Sequence, residues 1–201
     1  MPSADVVERI GAAHLLPVLR VPDAAAAVRA ASQCFAAGLD VVELTATTDD
    51  WVGALTDLRS AEPGRMIGLG SVLDTGTARR ALDLGADFIV SPCPVPAVRN
   101  VVGSSLFIEG GWSVAEILDA GRRGPVKLFP AHVGGVAYLR TVLALDPKLR
   151  IIPTGGIGLA DVRSWLDAGA FAVGVGTALL SHDGVAAAVA AALGRPDAPT
   201  L

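Results

Sequence analysis

Apolar strands that alternate with helices, a repeated glycine at the helix-to-strand joints, and eight such units within 201 residues predict an α/β protein of the (β/α)8 TIM-barrel class. The joints Ala37-Gly38-Leu39, Leu84-Gly85-Ala86 and Ala168-Gly169-Ala170 are alike, each placing glycine just after a helix and a β-rich run beyond it. A left-handed backbone costs glycine least at that position. An open doubly wound sheet is the rival architecture, and the eightfold repetition favours the barrel. No linker, low-complexity tract or shift of composition divides the chain, so one domain over residues 1–201 is expected.

The elements follow in order. A short N-terminal helix over 4–13 sets Val6, Val7 and Ile10 on one side, ahead of a strand over 15–19. Asp23 is placed to cap an alanine-rich helix reaching Ala37, and 39–44 is the second strand. Residues 50–60 read as a helix broken by Pro63-Gly64, and 66–70 as the third strand. A helix over 74–84 leads to strand 88–90, and a short helix over 96–102 to strand 106–108. Helix 113–120 precedes strand 126–129, and helix 136–145 precedes strand 150–153. Helix 160–168 leads to the eighth strand, 172–175, and a helix over 185–193 closes the pattern.

Composition narrows the function. The chain is 52% apolar with a mean hydropathy of +0.53, yet no apolar run approaches the roughly 20 residues of a membrane span. High hydropathy therefore implies strands buried on both faces. Asp5, Glu8 and Arg9 rule out a signal-peptide reading of the first ten residues. Cys34 and Cys93 have neither metal-ligand spacing nor disulfide density, which suits a reducing cytoplasm. A net charge of −4, dispersed arginines, one Tyr and three Trp give no basic stripe or stacking platform for nucleic acid.

The chemistry lies in Pro125-Val126-Lys127-Leu128-Phe129-Pro130. Of sixteen basic residues only two are lysine, and Lys127 sits inside an apolar strand while Lys148 sits in a turn. Arginine cannot lose its proton to become a nucleophile, whereas a desolvated lysine can. A strand-end lysine that snorkels to water or pairs with a carboxylate is an equal alternative on this stretch alone. A barrel places its active site at the C-terminal ends of its strands. There stand Arg20, Glu43 with Thr45 and Thr47, Ser71, Pro92, Glu109, Phe129, Thr154-Gly155-Gly156 and Gly176-Thr177. That convergence on one rim favours the functional reading of Lys127. Glu43, on an otherwise interior strand, suits a general acid/base or a partner orienting Lys127 or Arg20. The paired glycine-rich loops after the last two strands suit a phosphate cradle. His14, His132 and His182 form no metal cluster, and His14 and His182 read as surface residues. His132 could face the site but reads more simply as a solvated loop residue. Cys93 has no histidine placed beside it.

Taken together and in order, several stretches resemble the 2-keto-3-deoxy-6-phosphogluconate (KDPG) / 4-hydroxy-2-oxoglutarate (KHG) aldolase family. They are Pro17-Val18-Leu19-Arg20, Val42-Glu43-Leu44-Thr45, Gly68-Leu69-Gly70-Ser71-Val72, Val90-Ser91-Pro92, Lys127-Leu128-Phe129-Pro130-Ala131, Pro153-Thr154-Gly155-Gly156-Ile157 and Gly174-Val175-Gly176-Thr177-Ala178-Leu179. The resemblance implies a class I pyruvate aldolase, a carbon–carbon lyase forming a Schiff base on Lys127 with no metal or other cofactor. It implies that Glu43 shuttles protons through a water and that Ser71 binds the pyruvate carboxylate. Gly155, Gly156, Gly176 and Thr177 would hold a distal phosphate or carboxylate, Arg20 would serve as an anion clamp where Thr47 replaces an arginine, and the assembly would be a homotrimer. Its partner would be a small keto acid, phosphorylated or not, with no nucleic acid or membrane. The departure is Glu109-Gly110-Gly111-Trp112-Ser113, where the family has Pro-Gly-x-x-Thr. Glu109 is therefore a possible modifier that could pair with Lys127 or equally bind a different substrate hydroxyl. A phosphosugar isomerase or synthase of the same barrel, or a catalytically silent binding homologue, is the alternative reading.

Overall fold

The computed structural model describes residues 3–180 and 185–194. Eight parallel strands run β1 (Leu15–Leu19), β2 (Val41–Thr45), β3 (Met66–Gly70), β4 (Phe88–Val90), β5 (Leu106–Gly111), β6 (Val126–Leu128), β7 (Ile151–Pro153) and β8 (Val173–Val175). They pair in the order β7-β6-β5-β4-β3-β2-β1-β8, and a bridge between Thr154 and Gly174 joins the two ends into a barrel. The helices are α1 (Ser3–Ala13), α2 (Ala24–Ala36), α3 (Trp51–Ala61), α4 (Thr75–Asp83), α5 (Pro96–Val102), α6 (Val114–Gly121), α7 (Ala131–Leu145), α8 (Val162–Asp167), α9 (Thr177–Leu180) and α10 (Val185–Leu193), with a 3-10 turn at Leu159–Asp161. None of these is long and apolar enough to cross a membrane.

Local chemistry fixes the helix ends. Asp23, Asp50 and Asp74 each accept a hydrogen bond from a backbone N–H of the first turn, at 2.8, 3.0 and 2.8 Å. Ser113 and Glu116 form a reciprocal capping box on α6. Gly38, Gly85 and Gly169 follow their helices at φ of +81°, +86° and +100°, the left-handed turn expected at those joints.

Strand alternation sorts the apolar residues into two cores. Leu16, Val41, Met66, Phe88, Val90, Leu106, Ile108, Ile152 and Ala172 fill the barrel interior. Val42, Leu44, Ile67, Leu69, Ile89, Val126, Leu128 and Val173 point outward and pack with the helices. Val6, Val7 and Ile10 of α1 join the interior core. Since α1 touches β1, β2 and β5, it crosses the N-terminal end of the barrel from one side to the other and seals it.

Three elements differ from the sequence expectation. β5 continues through Gly111 rather than stopping at Ile108. α7 begins at Ala131, not 136, because Gly135, at φ 64° and ψ −172°, interrupts a helix that exists on both sides of it. The four residues of α9 are too few to carry a helical period in sequence. His182 and the residues after Gly194 lie outside the described residues.

Candidate active site

In β6 the neighbours Val126 and Leu128 point to the helix layer, so Lys127 between them points into the barrel. Glu43, between the outward-facing Val42 and Leu44, does the same from β2. Their side chains meet: Lys127 Nζ donates to Glu43 Oε1 at 3.2 Å, with the residues 5% and 1% exposed. Isolated, either charge would be costly there; together they are neutral. They stay neutral if the proton passes from lysine to carboxylate, and that transfer would free the amine as a nucleophile. Gly70 makes the room, for a Cβ on it would lie 1.8 Å from Glu43 Oε1. The Phe129 ring stands beside the amine, its centroid 5.6 Å from Nζ.

Above this pair opens a cavity of about 320 Å³. Arg20, Lys127, Phe129, Thr154, Gly155, Gly156 and Gly176, all expected at the site, line it. Arg20 Nη2 donates to Ser71 Oγ at 3.2 Å, which brings Ser71 beside the guanidinium, with Ser71 itself at φ +62°. Thr45 and Thr47 belong to a hydroxyl cluster instead. Thr47 Oγ1 donates to Thr45 Oγ1 at 3.1 Å, Thr45 Oγ1 lies 3.2 Å from Thr48 Oγ1, and Thr45 also donates to Leu19 O at 3.4 Å. That cluster ties the end of β2 to β1 just below Arg20. Pro92 presents its backbone to Gly110, where a Cβ would stand 2.3 Å from the Pro92 carbonyl carbon. Thr177 begins α9, and its side chain lies outside the described residues.

Glu109 is a correction. It does not approach Lys127. Register pairs Glu109 with Val126 and Gly110 with Lys127, so Gly110 shares the lysine's inward parity and Glu109 points to the helices. There Arg99 grips both its carboxylate oxygens at 2.5 Å, Arg123 donates at 2.8 Å, and the Val95 N–H donates at 3.0 Å. The carboxylate is buried but fully engaged on the far side of the sheet wall. Trp112 packs away as well, stacked on Tyr138 with centroids 4.9 Å apart, and the Tyr138 hydroxyl donates to Trp112 O at 2.6 Å. Cys93 is exposed at the rim.

The sequence places Gly70 and Ser91 at strand ends without giving either a role, and Thr48 does not stand out in it; the Ser91 hydroxyl donates to Cys93 O at 2.7 Å and accepts from Gly110 N–H at 3.4 Å. The available signal was alternation: Gly68 and Gly70 share the interior parity of Met66, and small residues at interior positions mark close approach. Among the described residues, no group of three or more His, Cys, Asp or Glu could hold a metal ion.

Known proteins resemble this chain in sequence and fold. A family model described as KDPG and KHG aldolase matches residues 6–194. A 2-dehydro-3-deoxy-phosphogluconate aldolase of Pseudomonas aeruginosa is 35% identical over 159 residues, 77% of this chain and 72% of the relative. The KHG/KDPG aldolase of Escherichia coli K12 is 31% identical over 158 residues, 76% of this chain and 74% of the relative. The KDPG aldolase of Legionella pneumophila, solved with pyruvate captured as a covalent carbinolamine intermediate, has a TM-score of 0.82 at 25% identity, covering 94% of this chain and 96% of that one. A barrel matched over nearly its whole length, at this level of identity to several aldolases, belongs to the KDPG and KHG aldolase family.

Proposed function

We propose that this chain is a class I aldolase in which Lys127 carries the Schiff base and Glu43 moves the protons. The observation that carries the reading is the buried Lys127 Nζ–Glu43 Oε1 contact of 3.2 Å at the floor of the rim cavity. With its proton held by Glu43, the amine attacks C2 of a 2-keto-4-hydroxy acid, and the keto oxygen takes a proton to give the carbinolamine. Loss of water leaves an iminium. Removal of the C4 hydroxyl proton then breaks the C3–C4 bond, releasing an aldehyde as the bonding pair moves into the iminium to form an enamine. Protonation at C3 and hydrolysis return pyruvate and the free lysine. The iminium is the electron sink, so no metal enters this scheme.

Arg20 and Ser71 take the pyruvate carboxylate in this reading, which their mutual hydrogen bond at the rim supports. The Gly155-Gly156 turn, with Gly176 and the start of α9, takes the distal phosphate or carboxylate in this reading, supported by its lining of the cavity and by analogy with other backbone anion cradles. The substrate is then KDPG or a related 2-keto-4-hydroxy acid. The feature that argued for a silent barrel, Glu109, is turned away from the lysine. The working form is read as a cytoplasmic homotrimer of single-domain chains, on family membership and on the exposed apolar side chains of Leu73, Val133 and Leu145.

The test is borohydride reduction in the presence of pyruvate, followed by peptide mass mapping. An adduct on Lys127 and none on Lys148 is expected, with both adduct and cleavage abolished in Lys127→Met. Absence of an adduct at saturating pyruvate would refute the Schiff-base reading.

A further inference from the structure

The turn that follows β7 is held from two sides. A Cβ on Gly155 would stand 2.8 Å from the Phe129 ring, and one on Gly156 would stand 2.5 Å from His132 Nδ1. Both glycines have positive φ, +95° and +70°. The Gly155 carbonyl accepts twice from α7, from the His132 backbone N–H at 3.1 Å and from the His132 ring at 3.2 Å. A carbonyl only accepts, so Nδ1 carries the proton in this contact. The ring thus stands behind the turn and fixes its tilt, while Phe129, itself beside Lys127 Nζ, fixes its distance from the nucleophile. His132 is exposed and does not line the cavity.

We infer that His132 is a positioning residue for recognition of the substrate's distal anion: its Nδ1–H pins the Gly155 carbonyl, and so aims the backbone of the Gly155-Gly156 turn at that anion. The inference rests on the assignment of this turn to the distal group made above. The His132 contacts end at the Gly155 carbonyl, and the ring beside Lys127 is that of Phe129, so the step at C2 is independent of His132. Asparagine can present its side-chain N–H₂ where histidine presents Nδ1–H; alanine cannot.

The experiment compares wild type, His132→Ala and His132→Asn as full-length proteins, with KDPG and unphosphorylated 2-keto-3-deoxygluconate as substrates. His132→Ala is expected to raise KM for KDPG about tenfold, the scale of one lost hydrogen bond, with kcat changed less than about twofold. Its KM for the unphosphorylated acid and its yield of the pyruvate–borohydride adduct should match wild type, and His132→Asn should restore KM for KDPG. Unchanged KM in His132→Ala, an equal rise for both substrates, or failure of asparagine to rescue would each overturn the inference alone. A wild-type protein that binds both substrates equally well would overturn the distal-cradle assignment, and this inference with it.

Discussion

Lys127 and Glu43 meet because Gly70 has no side chain. A Cβ at 1.8 Å from Glu43 Oε1 cannot be accommodated without turning the carboxylate out of line. Gly70→Ala is therefore expected to lower kcat by about 10²–10⁴, the range of a lost general acid/base, and to cost about 1–3 kcal/mol of stability through overpacking. Steady-state kinetics and urea unfolding measure both. Glu109 predicts the opposite pattern. Glu109→Ala removes the acceptor of Arg99, Arg123 and the Val95 N–H, at a cost of about 1–3 kcal/mol, since the arginines can turn to water while the N–H is left without its acceptor. Its pyruvate adduct on Lys127 should form as in wild type. Loss of the adduct in a folded Glu109→Ala protein would mean the two carboxylates' roles have been confused.

At the scale of elements, the α6 capping box adds a pH dependence with a definite sign. Hydrogen bonds from the Ser113 backbone and side chain, and from the Trp112 backbone, hold the Glu116 carboxyl below its ordinary value of 4.5. A depressed carboxyl stabilises the fold above that ordinary value, and the contribution is lost as pH falls through the lowered one. Wild type should lose stability on acidification below 4.5 more steeply than Glu116→Gln, while Ser113→Ala should cost about 1 kcal/mol at neutral pH. Thermal midpoints across that interval measure it. β5 also shows where sequence reading stopped short. Lys127 was legible because an arginine-writing chain kept a lysine in an apolar strand, and Glu43 because charged residues are rare between valines and leucines. Glu109 was misplaced because facing depends on parity, and parity depends on whether Gly110 and Gly111 continue the strand. Two glycines carry no alternation of their own. The same lack of pattern hid the first turn of α7, where Gly134 and Gly135 look like a break, and the site role of Gly70.

On the scale of the whole molecule, repetition made the architecture legible: eight strands, seven crossovers and glycine-marked joints admit few closures. Which side chains would share a cavity was legible only as a rim, since ring order and tilt set the distances. The seal by α1 is the feature with the widest consequence. With Val6, Val7 and Ile10 packed into the interior core, the barrel is filled and closed at its N-terminal end, and the cavity beside Lys127 lies on the C-terminal rim. On the proposed mechanism, what is bonded to Lys127 would sit deepest in the cavity, and the aldehyde, formed nearer the opening, would stand between it and solvent. Traffic is then single-file, last part in and first part out: the aldehyde must depart before pyruvate can be hydrolysed free. Product inhibition should accordingly be competitive for pyruvate and noncompetitive for the aldehyde, and the reverse assignment would mean that the cavity has a second way out.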